Sequence, residues 1–182
     1  MTGKTHLSDL SNEERTLIVG LPYRVGMWVS QSEDDGGESD DEREAAALEK
    51  TLHGLAKAEK VPVFVREVLG ETLAHQNLWP EWAEDTFRIL PDCERAVKIL
   101  DEKCSKSDRN NFKKALKRIA VSVAGAYGEY GDFDGDSDKG MIGRFISKIK
   151  GSQGKAEDFM NISPGEEDAL RNLSAALRTD DD

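Results

Sequence analysis

The sequence predicts an all-α protein, an antiparallel bundle of about seven helices. Three observations carry this. Apolar residues recur at helical spacing along most of the chain. Ser-x-x-Glu and Ser-Pro-x-Glu signatures mark several helix starts. No run alternates convincingly enough to be a strand, and short connections favour antiparallel neighbours. With 182 residues, 37% hydrophobic and 34% charged, the chain can bury a core as one domain.

Residues 1–10 are polar and read as a flexible lead, 11–178 as a single helical domain, and 179–182 as an acidic tail. Ser11 opens "SNEE", a capping box with Glu14, and a helix through Leu17, Ile18 and Leu21 follows. Pro22 lacks an amide donor, so it kinks that helix or begins another. Val25, Trp28, Val29 and Ser32 continue on one face. Gly36 and Gly37 stop the helix. Ser39, with Glu42 three residues on, predicts the next start, and Ala45, Leu48, Leu52 and Leu55 predict its buried stripe.

"VPVFVREVL" is β-branched, but Pro62 at a helix start favours a helix. "NLWPEW" reads as a turn whose tryptophans fill gaps between helices. Pro91 suits the start of "PDCERAVKILDEKC", which packs through Ala96, Val97, Leu100 and Cys104. Ser107 is placed to cap the longest helix, with Phe112, Leu116, Ile119, Val123 and Tyr127 on one face. "MIGRFISKIK" predicts a short helix. Ser163, Pro164 and Glu166 cap a last one through Leu170, Leu173 and Leu177.

Function is less determined. The net charge of −11 argues against nucleic acid and anionic lipid, and permits a cation or a basic protein partner. The start of the chain has no apolar signal-peptide core, and "IAVSVAGAY" is too short to span a bilayer, so the expected location is cytoplasmic. Cys93 and Cys104 fit neither a zinc knuckle nor a disulfide framework. No nucleophile elbow, phosphate loop or dinucleotide fingerprint is present. His53 and His75 each follow a glutamate by four residues, whereas a di-iron bundle uses three.

The acidic stretches remain. "GEYGDFDGDSDKG", residues 128–140, holds Glu129, Asp132, Asp134, Asp136 and Asp138. An EF-hand register begun at Asp132 puts Ser137 where glycine is needed and Gly143 where the bidentate glutamate belongs. Begun at Asp134, it puts Lys139 and Phe145 there. Two readings stay open: a looser oxygen-ligand site for Ca²⁺ or Mg²⁺, and a solvated turn whose acids favour the next helix dipole. Residues 11–60 and 107–150 also share an order of features, small-residue helix, acidic glycine-rich turn, apolar helix, which suggests two pseudo-symmetric helical hairpins.

"VSQSEDDGGESDDEREAAALEKTL" resembles the tellurite-resistance TerB-like helical domain, and "IAVSVAGAYGEYGDFDGDSDKGMIGRFISKI" resembles a second copy. The resemblance implies a helical, non-enzymatic binding or adaptor protein linked to tellurite or stress response. It further implies acidic metal positions at Asp34, Asp35, Asp41, Glu42 and Glu44, and at Asp132, Asp134, Asp136 and Asp138. It also implies protein partners, including peripheral membrane assemblies, and leaves a homo-oligomer open. The chain departs from the family pattern: "DDGG" stands for the usual "DG" in the first copy, and Lys139-Gly140 for the helix-starting glutamate in the second. The two other readings are a metal-free module that docks a basic partner, and a bundle enzyme built on a carboxylate centre.

Overall fold

The computed structural model describes residues 6–32, 38–125 and 163–179. Among them are seven α-helices and no strand: α1 (Asn12–Ser30), α2 (Glu38–Lys57), α3 (Val63–Ala74), α4 (Trp79–Glu84), α5 (Ile89–Lys103), α6 (Lys106–Ala124) and α7 (Pro164–Ala176). Two short 3₁₀ turns accompany them, Leu7–Asp9 before α1 and Gln76–Leu78 between α3 and α4. The all-α prediction holds.

Local capping chemistry explains the starts of α1, α6 and α7. At α1 the Glu14 amide donates to Ser11 Oγ at 3.3 Å, and the Ser11 amide donates to Glu14 Oε2 at 2.8 Å. At α7, Ser163 and Glu166 repeat the exchange, with Pro164 in the first turn. Each box satisfies two amides that the helix cannot pair internally. Elsewhere the sequence reading shifts. Ser105, not Ser107, caps α6, accepting from the Asp108 amide at 3.0 Å. Ser39 lies inside α2 rather than before it. "VPVFVREVL" is helical from Val63, with Pro62 as the capping residue. α5 begins at Ile89, so Pro91 sits within its first turn. "NLWPEW" is the 3₁₀ turn leading into α4, not a simple turn.

Pro22 does not divide α1, which runs unbroken past it. The proline leaves the Ile18 carbonyl without its usual amide. Thr72 of α3 donates its hydroxyl to the neighbouring Val19 carbonyl at 2.7 Å, with the Val68 carbonyl at 2.9 Å. An interhelical bond thus supports the turn that the proline loosens.

α1 is the central rod. Ile18, Leu21, Val25 and Val29 are fully buried against a core that includes Leu52, Phe64, Leu100, Phe112, Leu116 and Leu173. Close approach is built in at Gly26, where an added Cβ would strike the Leu48 side chain. In α2 the buried stripe runs through Glu44, Leu48, Thr51, Leu52 and Leu55, whereas Ala45, placed in that stripe by sequence, is exposed. Residues 7–10, read as part of a flexible lead, are tied down. Leu7 and Leu10 are buried, and Glu67 of α3 accepts from the Leu7 amide at 2.9 Å and lies 2.8 Å from His6 Nδ1.

Two ion pairs set the direction of α5. Arg24 meets Asp92 at 2.8 Å, and Glu14 meets Lys103 at 2.8 Å. Residue numbers fall along α5 as they rise along α1, so the two are antiparallel. The α6 helix starts just after Cys104 and Ser105, at the end of the bundle where α1 begins. It then packs along α1, burying Phe112, Leu116, Ile119 and Val123 in the shared core. Side-by-side packing from that starting point makes α6 parallel to α1. The last residues of α1, the first of α2 and the last of α6 therefore share one end of the bundle.

Candidate functional site

Most of the metal positions suggested by sequence fall outside the described residues. This holds for Asp34, Asp35, Asp132, Asp134, Asp136 and Asp138. Asp41 lies on the first turn of α2. Glu44 is on the same helix but faces the core at 2% exposure, not the surface turn where the sequence placed it. Among the described residues, no three His, Cys, Asp or Glu side chains group so as to hold a metal. What the fold does establish is where the acidic segments attach. Segment 33–37 joins α1 to α2, and the stretch holding 129–138 follows α6, so both leave from the end just described.

A second feature was not foreseen from sequence. An open groove of about 520 Å³ runs along the outer side of α1, between α4 and α5. It is lined by Asn12, Glu13, Thr16, Leu17, Gly20 and Arg24 of α1, by Glu81, Trp82 and Asp85 of α4 and its C-cap, and by Arg88, Asp92 and Arg95 of α5 and its N-cap. Gly20 leaves room there: a Cβ would sit at ordinary contact distance, 3.5 Å, from the Trp82 indole. Tyr23 stacks on Trp79 with ring centroids 4.4 Å apart, and Trp79 Nε1 donates to the Thr72 carbonyl at 3.1 Å. Burial against these rings raises the Tyr23 phenol above its ordinary pKa.

Arg24 lines the groove at 5% exposure. Its Nε donates to the Asp85 carbonyl at 2.8 Å, and Nη2 reaches Asp92 Oδ2 at 2.8 Å and Asp85 Oδ2 at 3.3 Å. A buried guanidinium needs such partners, since an uncompensated charge in the interior is costly. Arg88 leans on the other Asp92 oxygen at 3.9 Å. These four side chains balance formally. Among the described residues Glu13, Glu81 and Arg95 line the groove without an ion-pair partner. Phe87, 80% exposed, sits on the adjoining turn.

No protein-family model, curated protein or solved structure gives a significant match to the chain.

Cys93 is buried, and burial pushes its thiol up to about 12, far from nucleophilic use at neutral pH. Glu14 is held below the ordinary carboxylate range by its bond from Lys103, then by the Ser11 amide. This carboxylate is thus a structural tie between α1 and α5. No helix among the described residues is long and apolar enough to cross a membrane.

Proposed function

We propose that this chain is a non-enzymatic helical binding protein of the TerB-like kind, whose acidic segments take a divalent cation, Ca²⁺ or Mg²⁺, at one end of the bundle. The observation that carries the reading is the common end from which segments 33–37 and 126–162 depart. Crowded carboxylates repel one another, and a hard cation with oxygen ligands relieves that repulsion. Two such segments attached to one end form a single acidic pole more readily than two at opposite ends. The link to tellurite or stress response comes from the sequence resemblance and is checked by the tellurite sensitivity of cells lacking the protein.

Thermal unfolding with Ca²⁺, Mg²⁺ or Mn²⁺ tests the cation. A ligand that binds only the native state stabilises it by about 2.7 kcal/mol at a hundredfold excess over Kd. The expected outcome is stabilisation by one of these ions that disappears in Asp132→Ala/Asp134→Ala/Asp136→Ala or in Asp34→Ala/Asp35→Ala/Asp41→Ala. A flat response to all three ions overturns the cation. A second reading, a metal-free module for a basic partner, is favoured by the net charge of −11.

A further inference from the structure

We infer that the groove along α1 is a docking site for a basic amphipathic helix with cationic side chains two turns apart. This inference is independent of cation binding at the acidic pole, because every residue it uses lies between α1, α4 and α5.

The occupant follows from what the groove has left unpaired. Arg24, Arg88, Asp85 and Asp92 offset one another. Glu13 and Glu81 then face the groove as two free carboxylates, against one free guanidinium on Arg95. The remaining local charge is negative, inside a chain whose overall charge of −11 draws cations toward it. Trp82 packs over Gly20, seven residues along α1 from Glu13. At 1.5 Å per residue this places Trp82, whose chain neighbour is Glu81, about 10 Å along α1 from Glu13. That separation matches positions i and i+7 of a docked helix. Leu17 lies between Glu13 and Gly20 on α1 and, with the Trp82 indole, offers apolar surface for the occupant's other residues. An indole face beside carboxylates also suits a Lys or Arg side chain.

The test uses the full chain and a labelled 14-residue helical peptide with lysines at i and i+7 flanking two leucines, followed by fluorescence anisotropy in 0.15 M salt. A peptide with glutamates in place of the lysines is the counter-probe. Glu13→Lys/Glu81→Lys removes both free carboxylates. Glu59→Lys/Glu102→Lys alters the net charge equally on exposed sites elsewhere. The expected result is at least tenfold weaker binding of the basic peptide by the groove variant than by the control variant, with circular dichroism unchanged in both. Equal loss in the two variants assigns binding to the overall field and overturns the site. Absence of binding by the parent protein, or tighter binding of the acidic peptide, overturns it as well.

Discussion

At the residue scale, the buried Arg24 guanidinium shows how one side chain couples three elements. It leaves α1, bonds the backbone of Asp85 just after α4, and meets Asp92 on α5. Removing one partner of a buried pair strands the other charge, which typically costs 3–5 kcal/mol. Asp85 would still hold part of Arg24, so Asp92→Ala is expected to destabilise by about 3 kcal/mol in urea unfolding. Arg88→Ala, which removes an exposed cation 3.9 Å from the same carboxylate, is expected to cost under about 0.5 kcal/mol. Equal losses would mean that the Arg24–Asp92 pair contributes no more than the exposed Arg88 contact. None of this was readable beforehand. "LPYRVG" and "PDCERA" look like ordinary helical faces, and only their antiparallel register brings Arg24 to Asp92.

At the element scale, capping chemistry was readable and facing direction less so. The Ser11 and Ser163 boxes are local, spanning four residues, and the structure keeps both. The Ser39 box fails because α2 already includes Glu38. Residue phase in α2 is settled by its neighbour. Leu48 meets Gly26 of α1, which turns Glu44 inward and Ala45 outward. Gly26→Ala drives a methyl into Leu48, and overpacking of this kind typically costs 1–3 kcal/mol. The expected Gly26→Ala effect is about 2 kcal/mol by chemical denaturation, despite the better intrinsic helix propensity of alanine. Gly54→Ala provides the contrast, since nothing lies within 4 Å of its added Cβ, and it is expected to stabilise by up to about 1 kcal/mol. A Gly26→Ala variant as stable as the parent would show that the α1–α2 contact can yield.

For the whole molecule, thirty-six acidic residues against twenty-five basic ones set the response to salt. Exposed like charges repel over about a Debye length, roughly 10 Å at 0.1 M ionic strength. Screening should relieve more repulsion than attraction in so acidic a bundle. The midpoint of thermal unfolding is expected to rise by several degrees from 10 mM to 0.5 M NaCl, since about 1 kcal/mol shifts Tm by a few degrees at this size. A fall over the same range would mean that ion pairs such as Glu14–Lys103 and Arg15–Glu71 outweigh the repulsion.

Helical class, the helix starts at Ser11 and Ser163 and the acidic stretches could be read from residues alone, because they depend on neighbours three or four positions away. The continuity of α1 through Pro22, the inward turn of Glu44 and the α1–α4–α5 groove could not. Each arises where side chains distant in the chain meet: Thr72 at Val19, Leu48 at Gly26, Asp92 at Arg24. Sequence spacing records the period of a helix, whereas the rotation and direction of that helix are set by the helices packed against it.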